Sequence, residues 1–158
     1  MRERKTYKGK FFPKNPQKYR GDVNNIVWRS SWELRLMKWL DEHNSVLEYG
    51  SEEIVIPYIS PIDGKAHRYF VDFYVKLRSQ NGEIKTMIVE VKPYVQTLPP
   101  KAKSRITPGY LKECQTYAVN QAKWAAARKF AEHNKIEFLV LTENELRSEE
   151  HTSELQSH

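Results

Sequence analysis

The chain has 158 residues, a formal net charge of +6 and a pI near 9.3. That length supports one domain with a real core, the longest apolar runs are far below a membrane span, and no hydrophobic signal region opens the chain. The lone cysteine, Cys114, excludes an internal disulfide and a cysteine-based zinc site and fits a reducing, cytosolic setting.

Residues 1–22 are basic and polar, with Pro13 and Pro16 and no periodicity, and predict a flexible or loosely docked arm. Within residues 1–20, eight Lys/Arg face a single acid, Glu3, the footprint of a polyanion binder and most simply of nucleic acid. A solubilising tail is the plainer reading. Phe11, Phe12 and Tyr19 either pin the arm to the domain, the commoner role, or stack on bases. A helix is predicted to open after Ser30 and run to about Glu42, with Glu33 placed as in a capping box. Trp32, Leu36, Met37, Trp39 and Leu40 form its apolar arc, and Glu33 falls inside that arc. A carboxylate aimed at a core is costly unless paired or bound to metal, so Glu33 is also a candidate functional residue. Short strands are expected at Val46–Tyr49 and Glu53–Ile59, with Gly50-Ser51 as a turn between them and Pro61-Ile62-Asp63-Gly64 as the next turn.

The segment Arg68–Lys92 carries the chemistry. Arg68–Val75 and Thr86–Lys92 alternate apolar and polar residues, and Gln80-Asn81-Gly82 predicts a hairpin turn between them. Asp72 and Glu90 each lie nine residues from Asn81, so they are expected opposite one another on one face, with Lys92 on the same face as Glu90. Facing carboxylates repel, and a divalent cation with oxygen ligands is the natural partner. The alternative is a solvated sheet face on which they pair with Lys92, Lys76 or Arg68. A loop from Pro93 to Pro108 follows, with Lys101, Lys103 and Arg105 able to grip a phosphate backbone. Thr107-Pro108 predicts the start of a helix to about Asn134. Its expected apolar face is Tyr110, Leu111, Cys114, Tyr117, Ala118, Ala122, Trp124 and Ala125. Gln121 falls on that face, while Lys112, Asn120 and Lys123 are expected on a solvated face with some chance of touching phosphate. Ile136–Leu141 reads as a buried central strand. A helical turn is expected at Thr142, with Glu145 completing a capping box. The whole is an α/β sandwich plan.

Residues 147–158 resemble the in-frame translation of a sequencing-library adapter and are set aside from fold reasoning. No phosphate-cradling glycine motif and no Ser/His/Asp set competes for the chemistry. Of His43, His67 and His133, only His67 flanks the hairpin, and its expected role is structural.

Asp72, then Glu90-Val91-Lys92, then a helix and a strand resemble the PD-(D/E)xK nucleases, with Val71 standing where the usual proline would be. The upstream Glu33 is similar to the helix-borne glutamate of TnsA-type transposon endonucleases. Lys18–Asp22, Trp28–Glu33, His67–Phe70, Val89–Pro93 and Tyr117–Trp124 resemble the head completion nucleases of T4-like phages, over about Lys10–Leu146. The resemblance implies a restriction-endonuclease-like core with a mixed central sheet flanked by helices. It organises the chain as a basic arm (1–22), a nuclease domain (23–146) and the adapter-like tail (147–158). It implies a Mg²⁺-dependent DNA endonuclease, with Mn²⁺ able to substitute, in which Asp72, Glu90 and Glu33 serve the metal and Lys92 completes the catalytic set. Arg20, Arg29, Arg68, Lys101, Lys103, Arg105, Gln121 and Lys123 are then candidates for gripping double-stranded DNA. Phage head or portal proteins are implied partners, in the cytoplasm of the infected host or in the virion, with no membrane and no nucleotide cofactor. The rival readings are a non-catalytic plug on a DNA end or portal, and a junction resolvase or transposase subunit.

Overall fold

The computed structural model describes residues 8–147. The adapter-like stretch from 148 onward, and Arg2, Arg4 and Lys5 of the basic arm, lie outside the described residues.

Three helices begin where local chemistry says they should. Helix α1 (Ser31–Glu42) starts at Ser30, whose hydroxyl accepts from the Glu33 N–H at 3.1 Å. Helix α2 (Pro108–Asn134) starts at Thr107, whose side chain accepts from Tyr110 N–H, with proline at the first position. The short α3 (Glu143–Leu146) carries the reciprocal Thr142/Glu145 capping box. Helix α2 ends at Lys135, which takes a left-handed conformation at φ 56°.

Four strands form a mixed sheet in the order β3 (Val46–Ser51), β6 (Phe73–Arg78), β7 (Ile84–Val91), β8 (Glu137–Leu141). The first two pairings run antiparallel, and β8 lies parallel to β7. Two small sheets flank it, one of β1 (Gly9–Lys10) with β2 (Val27–Trp28) and one of β4 (Val55–Ile59) with β5 (Ala66–Phe70). Alternation along the strands sends Phe73, Val75, Leu77, Met87 and Val89 to one face, where Leu36, Met37 and Leu40 of α1 cover them. Ile88, Phe138 and Val140 go to the other, against Trp124 and Ala127 of α2. The molecule therefore has two cores, one on each side of the sheet.

Several expectations are corrected. Arg68–Val75 is two strands in two sheets. Val71 is buried in the α2 core with its N–H on the Ile54 carbonyl, whereas Phe73 is buried in the α1 core. The chain crosses between sheets at Asp72, and continuous alternation in the sequence conceals the break. Gly50 and Ser51 belong to β3, and the turn comes one residue later at Glu52, with φ 56°. Gly50 is needed for close approach, since a Cβ there would lie 2.9 Å from the Arg20 carbonyl. The Glu137–Leu141 strand is an edge strand, apolar because α2 and the α1 side cover it, and the central strands are β6 and β7. The buried stripe of α2 is Asn120, Trp124, Ala127 and Ala131, while Leu111 is exposed.

From Lys8 onward the basic arm is docked. Asp41, buried at the end of α1, accepts from the Lys14 N–H (2.8 Å), the Asn15 N–H (3.1 Å) and the Tyr49 hydroxyl (3.2 Å). Lys18 places its ammonium on the carbonyls of Asp41 and His43, satisfying the open C-terminus of α1. Phe11 and Tyr19 are buried and pin the segment, and Phe12 is exposed.

Candidate active site

The site lies at one end of the sheet, where β3 ends, β6 begins and β7 ends. The β6–β7 ladder ends at Phe73 opposite Val89, in the predicted register, and Asp72 and Glu90 are the next residues along each strand. Asp72 gains its aim from the backbone, because its Oδ2 accepts the Val91 N–H at 2.8 Å. Its carbonyl accepts the Glu52 N–H at 3.1 Å. Both contacts exist because the chain is between sheets at this residue and has no ladder partner there.

Glu90 is buried on the face that α2 covers. The Tyr69 hydroxyl donates to its Oε2, and the Lys92 ammonium lies 3.9 Å from its Oε1. Lys123 of α2 approaches from above, its ammonium 5.6 Å from the Tyr69 ring centre and 5.8 Å from that of Tyr58. Lys123 is thus half-buried beside the site, against the expectation of a solvated face. Burial lowers its pKa, as does Lys92, while Glu90 and Asp72 oppose the shift.

Burial pushes both carboxyls up to about 7, Asp72 against the Val91 hydrogen bond and Glu90 against Lys92 and Lys123. Glu33 adds to both shifts, and burial raises its own pKa as well. Its carboxylate accepts the Arg29 N–H at 3.0 Å, one residue before the position that would close a capping box on Ser30. Glu33 therefore braces the entry of α1 while standing within electrostatic reach of Asp72, Glu90 and Lys92.

The structure brings Glu33, Asp72, Glu90, Lys92, Arg29 and Lys123 to one place. Arg20 pairs with Glu48, Arg68 lies over Phe70 on β5, and Lys101, Lys103 and Arg105 are exposed on the loop. Gln121 is half-buried on α2 and tied to none of the carboxylates by a hydrogen bond. Sequence reasoning missed Tyr58, Tyr69 and Glu52. Tyr69 lay inside the key stretch, but alternation alone gave it no role. Glu52 pairs with the Arg29 guanidinium at 2.8 Å, and only the Glu52-Glu53 pair following Gly50 hinted at it.

Among the described residues no group of three or more His, Cys, Asp or Glu side chains closes around a metal position. The donors present fit a hard cation that keeps much of its own hydration. They are all oxygens, and two are carboxylates whose charge is disfavoured by burial and by the nearby Glu33 and Glu52. Mg²⁺ is commonly held by one or two carboxylates, with water and substrate phosphate completing the shell.

Comparison with known proteins now bears on this geometry. The family described as TnsA-like endonuclease, N terminal, matches residues 43–143, a span that includes Asp72, Glu90, Lys92 and Lys123 but not Glu33. The head completion nuclease of Enterobacteria phage T4 is 40% identical over 146 residues, which cover 90% of this chain and 95% of that protein.

Proposed function

The chain belongs to the TnsA-like endonuclease family, and from that premise we propose that it is a divalent-metal-dependent DNA endonuclease of phage head completion, cutting genomic phosphodiester bonds before head and tail join. The observation that carries the chemistry is the pair Asp72 and Glu90, in register, buried and flanked by Lys92.

Asp72 and Glu90 would hold Mg²⁺, with Glu33 near enough to complete its shell through water. When bound, the ion supplies a lowered pKa for a nucleophilic water and countercharge for the phosphate. The Val91 N–H keeps one Asp72 oxygen fixed, and the Tyr69 hydroxyl keeps one Glu90 oxygen fixed, so the remaining oxygens point in set directions. Lys92 orients the attacking water and offsets charge that develops on the phosphoryl oxygens as the bond to the 3′ oxygen breaks. Lys123, held over two tyrosine rings, adds a second cation on the α2 side. Arg29 and the basic loop grip the duplex through phosphates, with little sequence preference. No helix among the described residues is long and apolar enough to cross a membrane, and the reading places the enzyme in the infected cell, on DNA being packaged.

The test is plasmid cleavage with Mg²⁺, with EDTA, and with Glu90→Ala. Cutting that requires metal and is lost in the variant is the expected result. Tight binding without cutting, unchanged by Glu90→Ala, would replace the enzyme with a binding plug.

A further inference from the structure

The polypeptide leaving the catalytic strand forms a 3₁₀ turn, Tyr94–Thr97, and then runs along α2. Between this segment and the helix lies a cleft of about 330 Å³, within the range of small-molecule sites. Leu98 and Pro100 form one wall with Gln96 at its edge, and Thr116, Tyr117 and Asn120 form the other. Asn120 is the unusual member. It is buried, with 5% of its surface exposed, and its Nδ2 has no hydrogen-bond partner. A buried amide donor left unmatched is destabilising. An apolar residue would serve a merely structural helix face better.

The cleft has a fixed relation to the chemistry. Asn120 and Lys123 are three residues apart, so they lie on neighbouring turns of one helix face, about 4.5 Å apart along its axis. Lys123 is the α2 residue within reach of Glu90. The cleft therefore lies within one turn of α2 from the lysine that reaches the catalytic carboxylates. Its charges sort what could enter. Glu113 lines it and repels a phosphate, but a carboxylate accepts well from an exocyclic amine. Lys112 can hold a phosphate that flanks an inserted group. Apolar Leu98 and Pro100, the Tyr117 ring, an unmatched amide and the Lys112 and Glu113 charges match an unstacked nucleobase.

We propose that this cleft receives one unpaired nucleobase next to the cleaved bond, with the Asn120 side chain turning to present its unmatched Nδ2 to an acceptor on the base edge. The site makes the enzyme prefer DNA that gives up a base easily, such as a frayed end, a bulge or a mismatch, over uniform duplex. The inference rests on the nuclease reading for its position beside the cleaved bond, but its test does not depend on cleavage.

Duplexes carrying 2-aminopurine at successive positions, through a blunt end and through a one-nucleotide bulge, would be titrated with protein, with EDTA present. This base brightens when it leaves the stack. A severalfold rise confined to one position, abolished in Thr116→Trp, which fills the cleft, and weakened in Asn120→Ala, is expected. Asn120→Ala removes only an unmatched donor, so its melting temperature should equal or exceed the wild type's, which separates loss of the site from loss of the fold. Binding with no rise at any position, or a rise that both variants retain, overturns the proposal. Mg²⁺-dependent plasmid cutting by the wild-type protein, run in parallel, reports on the nuclease reading separately.

Discussion

Glu90 is a buried carboxylate with one oxygen engaged by the Tyr69 hydroxyl and the other facing Lys92. Replacing Tyr69 with phenylalanine removes the donor and keeps the ring that lies beneath Lys123. An unmatched buried acceptor costs about 1–3 kcal/mol, more when charged. Tyr69→Phe should therefore lower the melting temperature more at pH 8, where the carboxyl is ionised, than at pH 5, and should cut kcat about tenfold, some 1.4 kcal/mol in barrier. Equal destabilisation at the two pH values would mean that the hydroxyl is not serving the charged form. Lys123→Ala removes a cation beside the reacting phosphate but few contacts to the duplex. Its expected signature is a fall in kcat of about 10²-fold with DNA affinity in EDTA nearly unchanged, measured by single-turnover cleavage and by titration. A loss seen only in affinity would reduce Lys123 to a phosphate anchor.

At the scale of elements, signals confined to a few neighbouring residues were the legible ones. Ser30, Thr107-Pro108 and Thr142 with Glu145 set helix starts through caps, and a cap needs nothing from the rest of the chain. Asn81 fixed the register that sets Asp72 opposite Glu90 for the same reason. What failed depended on distant partners. The passage of the chain from β5 to β6 at Asp72 follows from which sheet each strand joins, and alternation is the same in both. Lys123 and Asn120 were misplaced because α2 contacts different partners along its 27 residues, so no single angular face describes it. The docking of the arm was invisible because Asp41 reads as an ordinary helix-end acid. Its burial yields a prediction. Asp41→Ala leaves two backbone N–H groups and the Tyr49 hydroxyl unmatched, costing about 3 kcal/mol. Denaturant melts should show the loss, and limited proteolysis should cut residues 8–22 faster. Lys135→Gly works the other way. It relieves a left-handed residue at the end of α2 and should stabilise by about 1 kcal/mol. A destabilised glycine variant would mean that the lysine side chain does more there than its backbone strain costs.

For the whole molecule, Asp72 stands between Val71 of one core and Phe73 of the other, so the site's charge bears on the stability of both. In ordinary chains Asp and Glu titrate near 4, whereas Asp72 and Glu90 are pushed up to about 7 by burial. Between roughly pH 4 and pH 7 the native state then holds protons that the unfolded chain has released. Stability therefore falls as pH rises through that window, by up to about 4 kcal/mol for Asp72 and about 3 kcal/mol for Glu90, and the metal-free protein is weakest above pH 7. A divalent cation reverses the sign. On the proposed reading it would bind the ionised pair, compete with protons below pH 7, and stabilise only the folded chain. Millimolar Mg²⁺ or Mn²⁺ should accordingly raise the melting temperature by several degrees at pH 8 and by little at pH 5. Asp72→Asn with Glu90→Gln should abolish the metal response and flatten the pH dependence, because neither amide titrates. The double variant without metal should be more stable than the wild type at pH 8, where the buried charge it removes is fully developed. Differential scanning fluorimetry at the two pH values, with and without metal, reads all of these at once. A metal shift of equal size at pH 5 and pH 8, or one that survives the double substitution, would place the cation elsewhere and leave the paired carboxylates as a strained structural feature.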